Sequence, residues 1–151
     1  MRTLFMVTML ATAVPDRPDL SPTDHRPLQE KIRGEWQMVN SVINAQPQDP
    51  NSHRATVYTF TANQLVTRTM KQPEPTTFGI VIDETHKPAH IDFVAGSGGS
   101  KTAYPGIFKI DGDVLTLCFT RAVVGQRPTE FASPADTQQM IALFQFKRIS
   151  R

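Results

Sequence analysis

The chain has 151 residues, of which 39% are hydrophobic and 20% charged, and its formal net charge at pH 7 is +2. This length and composition predict one globular domain and exclude a disordered chain. Lysine and arginine residues are scattered and form no basic stripe, so no nucleic-acid partner is expected.

The N-terminal segment has the outline of a secretory signal. "MRTLFMVTMLATAV" combines Arg2, an apolar run from Leu4 to Leu10 and the small-residue triplet Ala11-Thr12-Ala13, which fits an A-x-A-type cleavage site. We therefore predict a signal peptide at 1–13 and export to the periplasm, cell envelope or medium; with a misassigned start the protein would be cytoplasmic. Spanning a bilayer takes about 20 apolar residues, so no transmembrane span is predicted.

A proline-rich linker follows at 14–27, where "PDRPDLSPTDHRP" carries four prolines and almost no apolar side chains. The folded domain is predicted at 28–151. It begins with a short helical turn, Leu28 to Arg33, stopped by Gly34.

From Trp36 onward, short runs alternate between apolar and polar residues with a period of two, which indicates strands. The predicted strands are Trp36–Ile43, Ala55–Thr61, Gln64–Met70, Thr76–Asp83, Ala89–Ala95, Thr102–Ile110, Asp113–Phe119 and Gln138–Arg148.

Eight sequential strands with short connections predict an all-β fold, an eight-stranded antiparallel up-and-down barrel, because closure removes the exposed edges of an open sheet. The alternative is a two-sheet sandwich. A barrel of this size is filled by side chains or holds one small ligand. The candidate ligand-contacting residues on the inner face are Tyr58, Phe60, Phe78, Phe108, Phe119 and Phe144.

Asp111-Gly112 predicts a tight hairpin, because an Asp-Gly pair suits a type I′ turn. A two-residue turn there would set Phe108 opposite Leu115 and Gly106 opposite Leu117. These side chains would face the core, while Cys118 would lie on the opposite face.

Cys118 is the only cysteine, so it cannot form an internal disulfide. A catalytic thiol needs a base within reach and a lowered pKa, and its hairpin contains no histidine. We expect a small packed side chain.

The longest connection between predicted strands contains "GQRPTEFAS", Gly125 to Ser133. We predict a folded loop held by an Arg127–Glu130 pair, with Phe131 as an apolar plug. The alternative is a ligand-contacting loop that brings Arg127 to the barrel mouth.

Two further groups of residues have candidate roles. Asp83, His86, His90 and Asp92 are potential metal ligands, but a strand–turn–strand need not bring them together, so no metal or cofactor is expected. Trp36 is the only tryptophan, and Arg148 is a candidate to place its guanidinium over this ring, because the first and last strands of a closed barrel are neighbours.

The order of "LQEKIRGEWQMV", "HKPAHIDF", "GIFKIDGDVLTLCF" and "RPTEFAS" resembles a small, uncharacterised lipocalin-like (calycin-type) domain family abundant in planctomycete-type bacteria. The resemblance covers Leu28 to Arg148 and implies the barrel fold and an exported location, but no reaction. "VINAQPQDPNSHRA" and "TRAVVG" depart from the family pattern. The matching positions are Gly34, Trp36, Pro88, Ile91, Asp92, Gly106, Asp111, Gly112, Leu115, Cys118, Arg127, Pro128, Glu130 and Phe131.

Three functions remain open. The leading one is a non-enzymatic, exported barrel that binds a small apolar or amphipathic ligand in its lumen or mouth. The second is a protein-interaction or envelope-structural module with a filled barrel; its protein partner is not indicated. An enzyme would require Cys118, or the pair His86 and His90, to converge with other polar groups in a cleft. Structural roles are predicted for Gly34, Trp36, Asp111, Gly112, Cys118, Glu130, Phe131 and Arg148.

Overall fold

The computed structural model describes residues 24–96, 98–122, 125–135 and 138–150. The predicted signal at 1–13 and the first part of the linker lie outside these ranges. The two short helices are α1 (Leu28–Lys31) and α2 (Pro50–His53). The strands are β1 (Gly34–Ile43), β2 (Gln46–Pro47), β3 (Val57–Phe60), β4 (Gln64–Thr69), β5 (Gln72–Asp83), β6 (Ala89–Ala95), β7 (Thr102–Asp111), β8 (Val114–Thr120) and β9 (Ile141–Ser150).

The strands form a closed eight-stranded antiparallel barrel. From β3 to β9 each strand pairs with the next one along the chain, and β1 pairs with both β3 and β9. The two-residue β2 pairs only with the C-terminal end of β1. The predicted up-and-down barrel with a short N-terminal helical turn is therefore confirmed, and the two-sheet alternative is wrong.

The bounds of several elements differ from the sequence prediction: β9, for example, begins at Ile141 rather than Gln138. β5 begins at Gln72 rather than Thr76, although prolines lie in between. This first part of β5 pairs with β4, whereas pairing with β6 begins only at Gly79, so the prolines lie where β5 has a single strand neighbour. The predicted polar loop before β3 contains α2, which is capped by Asp49: its carboxylate accepts a hydrogen bond from Asn51 N at 2.9 Å.

One end of the barrel, the closed end, carries α1 and the turns β3–β4, β5–β6 and β7–β8. Ile32 and Trp36 are fully buried there, and the Trp36 indole N–H donates to Ile32 O at 2.7 Å. The predicted cation–π contact is present, since the Arg148 guanidinium lies 4.0 Å from the centre of the Trp36 ring. The opposite, open end carries the β4–β5 turn, the β6–β7 loop and the β8–β9 connection.

The β7–β8 hairpin has a different register from the predicted one. Asp111 pairs with Val114, so Gly112 and Asp113 form the turn, and only Gly112 of these has a positive φ, +59°. The predicted partners of Phe108 and Gly106 were therefore wrong by two residues, since Phe108 pairs with Leu117. A slip of two leaves every side chain on its predicted face, and Phe108, Leu115 and Leu117 are buried in the core.

Candidate functional site

A cavity of about 430 Å³ opens at the open end of the barrel. This volume lies within the range of small-molecule pockets, roughly 300–1,000 Å³. Its position follows from the fold, because α1 and Trp36 fill the closed end.

Apolar and aromatic side chains form most of the cavity wall. Phe119 meets Phe93 and Phe144 edge to face, with ring centres 5.2 and 5.3 Å apart. The apolar and aromatic lining residues are Tyr58, Leu65, Phe78, Phe93, Tyr104, Phe119 and Phe144.

Of the aromatic residues predicted as ligand contacts, Tyr58, Phe78, Phe119 and Phe144 line this cavity. Phe60 and Phe108 do not. Both lie toward the closed end and are packed in the core, with exposed fractions of 2% and 1%. The two-residue alternation correctly turns both rings inward, but alternation carries no information about depth along the barrel axis.

The rim of the cavity is polar, and its residues were not among those predicted to contact a ligand. Thr69 and Gln72 flank the β4–β5 turn, Thr67 and Thr76 are paired across β4 and β5, and Arg121 directly follows β8. These residues continue the alternation of inward positions beyond the apolar ones. That alternation was the available signal: Arg121 lies two residues after Phe119, and Thr67 two after Leu65.

Tyr58 connects the apolar wall to this rim. Burial raises the pKa of its hydroxyl to about 12, while the positive charge of Arg121 acts in the opposite direction. The phenol is therefore neutral at physiological pH and can donate a hydrogen bond. Its hydroxyl makes no hydrogen bond to another described residue.

Arg127 lies on the outer face of the barrel and not at the mouth, where the alternative interpretation of its loop had placed it. Its Nη1 donates to Gly106 O at 2.7 Å and lies 2.8 Å from Asp92 Oδ1, an ionic contact whose angle is outside the hydrogen-bonding range. The predicted Arg127–Glu130 pair is wrong: the carboxylate that pairs with Arg127 is on β6. Glu130 itself is exposed.

The part of the β8–β9 connection from 125 to 135, here called the outer segment, covers the outer face of β7 and β8. Thr120 Oγ1 donates to Gln126 O at 2.6 Å. The Lys109 ammonium lies over the Phe131 ring, 5.1 Å from the ring centre. Phe131 thus packs against the barrel wall, and this face of the hairpin is shielded from water although it points away from the core.

Cys118 lies under the outer segment and is fully buried. Its Sγ lies 3.3 Å from Ala132 O and donates to it. Burial raises the pKa of the thiol, and the nearby Glu130 charge acts in the same direction. A buried, protonated thiol is a poor nucleophile, so the geometry fits the predicted packing role.

The His86 and His90 rings are stacked with centres 3.9 Å apart, and His86 Nδ1 lies 3.2 Å from Asp83 Oδ2. Within the described residues, no group of three or more His, Cys, Asp or Glu side chains is arranged to hold a metal ion. Asp92 is instead engaged with Arg127.

A second histidine contact was not anticipated from the sequence. Ser41 Oγ and His53 Nε2 are 2.9 Å apart, and both residues are buried, with exposed fractions of 3% and 4%. The contact fixes α2 against β1. Since water and substrate cannot reach the serine, this pair has the surroundings of a structural contact.

The fold and the site together define a closed eight-stranded antiparallel barrel with an aromatic-walled cavity, open at one end and rimmed by polar groups. Comparison of the chain with known protein families, with curated proteins and with solved structures finds no match. No helix in the described ranges is long and apolar enough to cross a membrane.

Proposed function

We propose that this protein binds one small apolar or amphipathic molecule in the cavity at the open end of its barrel, and that it does so without catalysis. The cavity itself is the observation that carries this proposal. Its walls offer aromatic surface to an apolar group, and its rim offers hydroxyl, amide and guanidinium groups to a polar one.

The competing function, an interaction or envelope-structural module, requires a filled barrel. The packing of the closed end around Trp36 would suit either function. The open end distinguishes them, because Phe78, Phe119 and Phe144 border a volume of about 430 Å³ there. This space favours ligand binding.

A family and a cellular location can also be proposed for this protein. We propose that the chain is a divergent member of the lipocalin-like family that its motifs resemble, and that it is exported. Two features support the family: α1 precedes the G-x-W of β1, and Arg148 of the last strand stacks on Trp36. The signal-like segment at 1–13 supports export.

Two measurements test ligand binding. Native mass spectrometry of the purified protein should show a co-purified small molecule, and the uncharged dye N-phenyl-1-naphthylamine should bind with increased fluorescence. Thr67→Tyr puts a larger side chain into the cavity and should weaken dye binding about tenfold or more, because overpacking costs about 1–3 kcal/mol. Val66→Tyr, on the other face of the same strand, should leave dye binding unchanged.

Equal binding of the dye to wild type and Thr67→Tyr would place the dye elsewhere and contradict the proposal. Absence of any bound mass, together with absence of dye binding, would favour the filled module.

A further inference from the structure

We infer that Arg121 makes the cavity selective for amphiphiles with an anionic head group, of which a fatty carboxylate is the simplest example. The inference rests on the proposed function and adds to it the sign of charge that the ligand carries.

The backbone holds Arg121 at the rim. Its N–H donates to Met140 O at 2.8 Å, so the start of the β8–β9 connection is tied to the residue that precedes β9. Arg121 lines the cavity two residues after Phe119, whose ring forms part of the aromatic wall. The guanidinium therefore belongs to the same inward-facing series as the apolar surface.

Among the described residues, no acidic side chain lines the cavity to balance this charge. Arg121 forms no ion pair with an acidic side chain of the described ranges. The other rim groups, among them Thr69, Gln72 and Thr76, are uncharged. Among the described lining residues, Arg121 is thus the charged group that an anionic head group would meet at the mouth.

A second donor lies near the same place. Arg121 is close enough to Tyr58 for its charge to act on the phenol, and that phenol is neutral and without a hydrogen-bond partner among the described residues. A guanidinium only donates hydrogen bonds, and a neutral phenol O–H can donate one as well. Carboxylates accept such bonds, and the planar guanidinium fork matches their two oxygens.

The apolar wall strengthens this preference. Aromatic side chains such as Phe119 and Phe144 form a low-dielectric surface beside the charge, and a charge beside such a surface is less screened than one in open water. A ligand tail along these rings would set its head group toward the rim. A cationic head group would meet the like charge of Arg121 there and bind more weakly.

The test compares three ligands with the same apolar tail and different head groups: decanoate, decanamide and decylammonium. The affinity of each ligand is measured by its displacement of N-phenyl-1-naphthylamine from the full-length protein at pH 7.5 and moderate salt. We expect wild type to bind decanoate about tenfold more tightly than decanamide, as for a charge-assisted hydrogen bond, and decylammonium most weakly.

Arg121→Gln should weaken decanoate about tenfold more than it weakens decanamide or the dye, because only decanoate carries the charge that pairs with the guanidinium. Lys71→Gln is the matched control, because it removes the same charge at the exposed β4–β5 turn without belonging to the cavity lining. It should preserve the preference for decanoate.

Two results would overturn the inference: equal affinity of wild type for decanoate and decanamide, or equal loss of the preference in Lys71→Gln and Arg121→Gln. In both, continued dye binding would show that the cavity still takes ligands. If the dye and all three amphiphiles fail to bind wild type, the proposed function fails and this inference with it.

Discussion

Arg127 and Asp92 form an ionic contact, with 2.8 Å between Nη1 and Oδ1, that joins the outer segment to β6. The same nitrogen donates to Gly106 O on β7 at 2.7 Å. One guanidinium therefore ties the outer segment to two neighbouring strands, and both partners of the ion pair are largely shielded, with side-chain exposures of 27% and 32%.

Replacing Arg127 with glutamine should destabilise the protein by about 2 kcal/mol, because a hydrogen bond made by a charged group contributes about 1.5–3 kcal/mol. Urea unfolding measures the loss. Glu130→Gln is the control: this neighbouring charge is exposed and should change the free energy of unfolding by less than about 0.5 kcal/mol. If Glu130→Gln lowered the free energy of unfolding more than Arg127→Gln, the result would support the Arg127–Glu130 pair predicted from the sequence.

Cys118 should be protected from alkylation in the native protein, because it is fully buried and its pKa is raised by burial. Reaction with iodoacetamide at pH 8 should be at least about a hundredfold slower than in guanidinium chloride, since exposure requires a local opening that costs a few kcal/mol. Arg127→Gln should speed the native reaction by loosening the outer segment. A native rate equal to the unfolded rate would mean that the segment does not cover the thiol.

Arg148→Lys should destabilise the barrel by about 1–3 kcal/mol, although the charge is kept. The guanidinium donates to Arg33 O at 2.9 Å and to Lys31 O at 2.5 Å while it stacks on Trp36, and an ammonium cannot do all three. Since Trp36 is the only tryptophan, its fluorescence should change as well. Lys147→Gln, at the exposed neighbouring position, should alter neither stability nor emission.

His90 should make the protein less stable in mild acid. Partial burial lowers its pKa from the ordinary 6.5, and the charges of Arg127 and His86 lower it further, against opposite effects of Asp83 and Asp92. Below about pH 6.5 the unfolded chain therefore binds more protons at this site than the folded one, so the free energy of unfolding falls as pH is lowered toward the folded pKa.

Urea unfolding at pH 7.5 and 5.5 checks this sign. His90→Gln should show a smaller loss of stability between the two pH values than wild type, whereas His25→Gln, at an exposed position before α1, should keep the full loss. An unchanged loss in His90→Gln would assign the acid sensitivity to another group.

Much of the barrel was predictable from sequence because its determinants are local. The alternation that defines a strand involves neighbours in the chain, and it located β6 at Ala89–Ala95 without error. The same alternation turned Phe119 and Phe144 inward. It did not separate these cavity-lining rings from Phe60 and Phe108, since depth in the barrel depends on how far each strand runs toward either end.

By itself, the sequence determined the number of long strands, their antiparallel order, the inward face of the core aromatic side chains and the meeting of Trp36 with Arg148. All four follow from period-two patterning and the closure of neighbouring strands. Only the tertiary structure decided the partner of Arg127 and the position of the outer segment over Cys118. The reason is physical: each of these depends on where the β8–β9 connection settles against distant strands, and no local pattern encodes that choice.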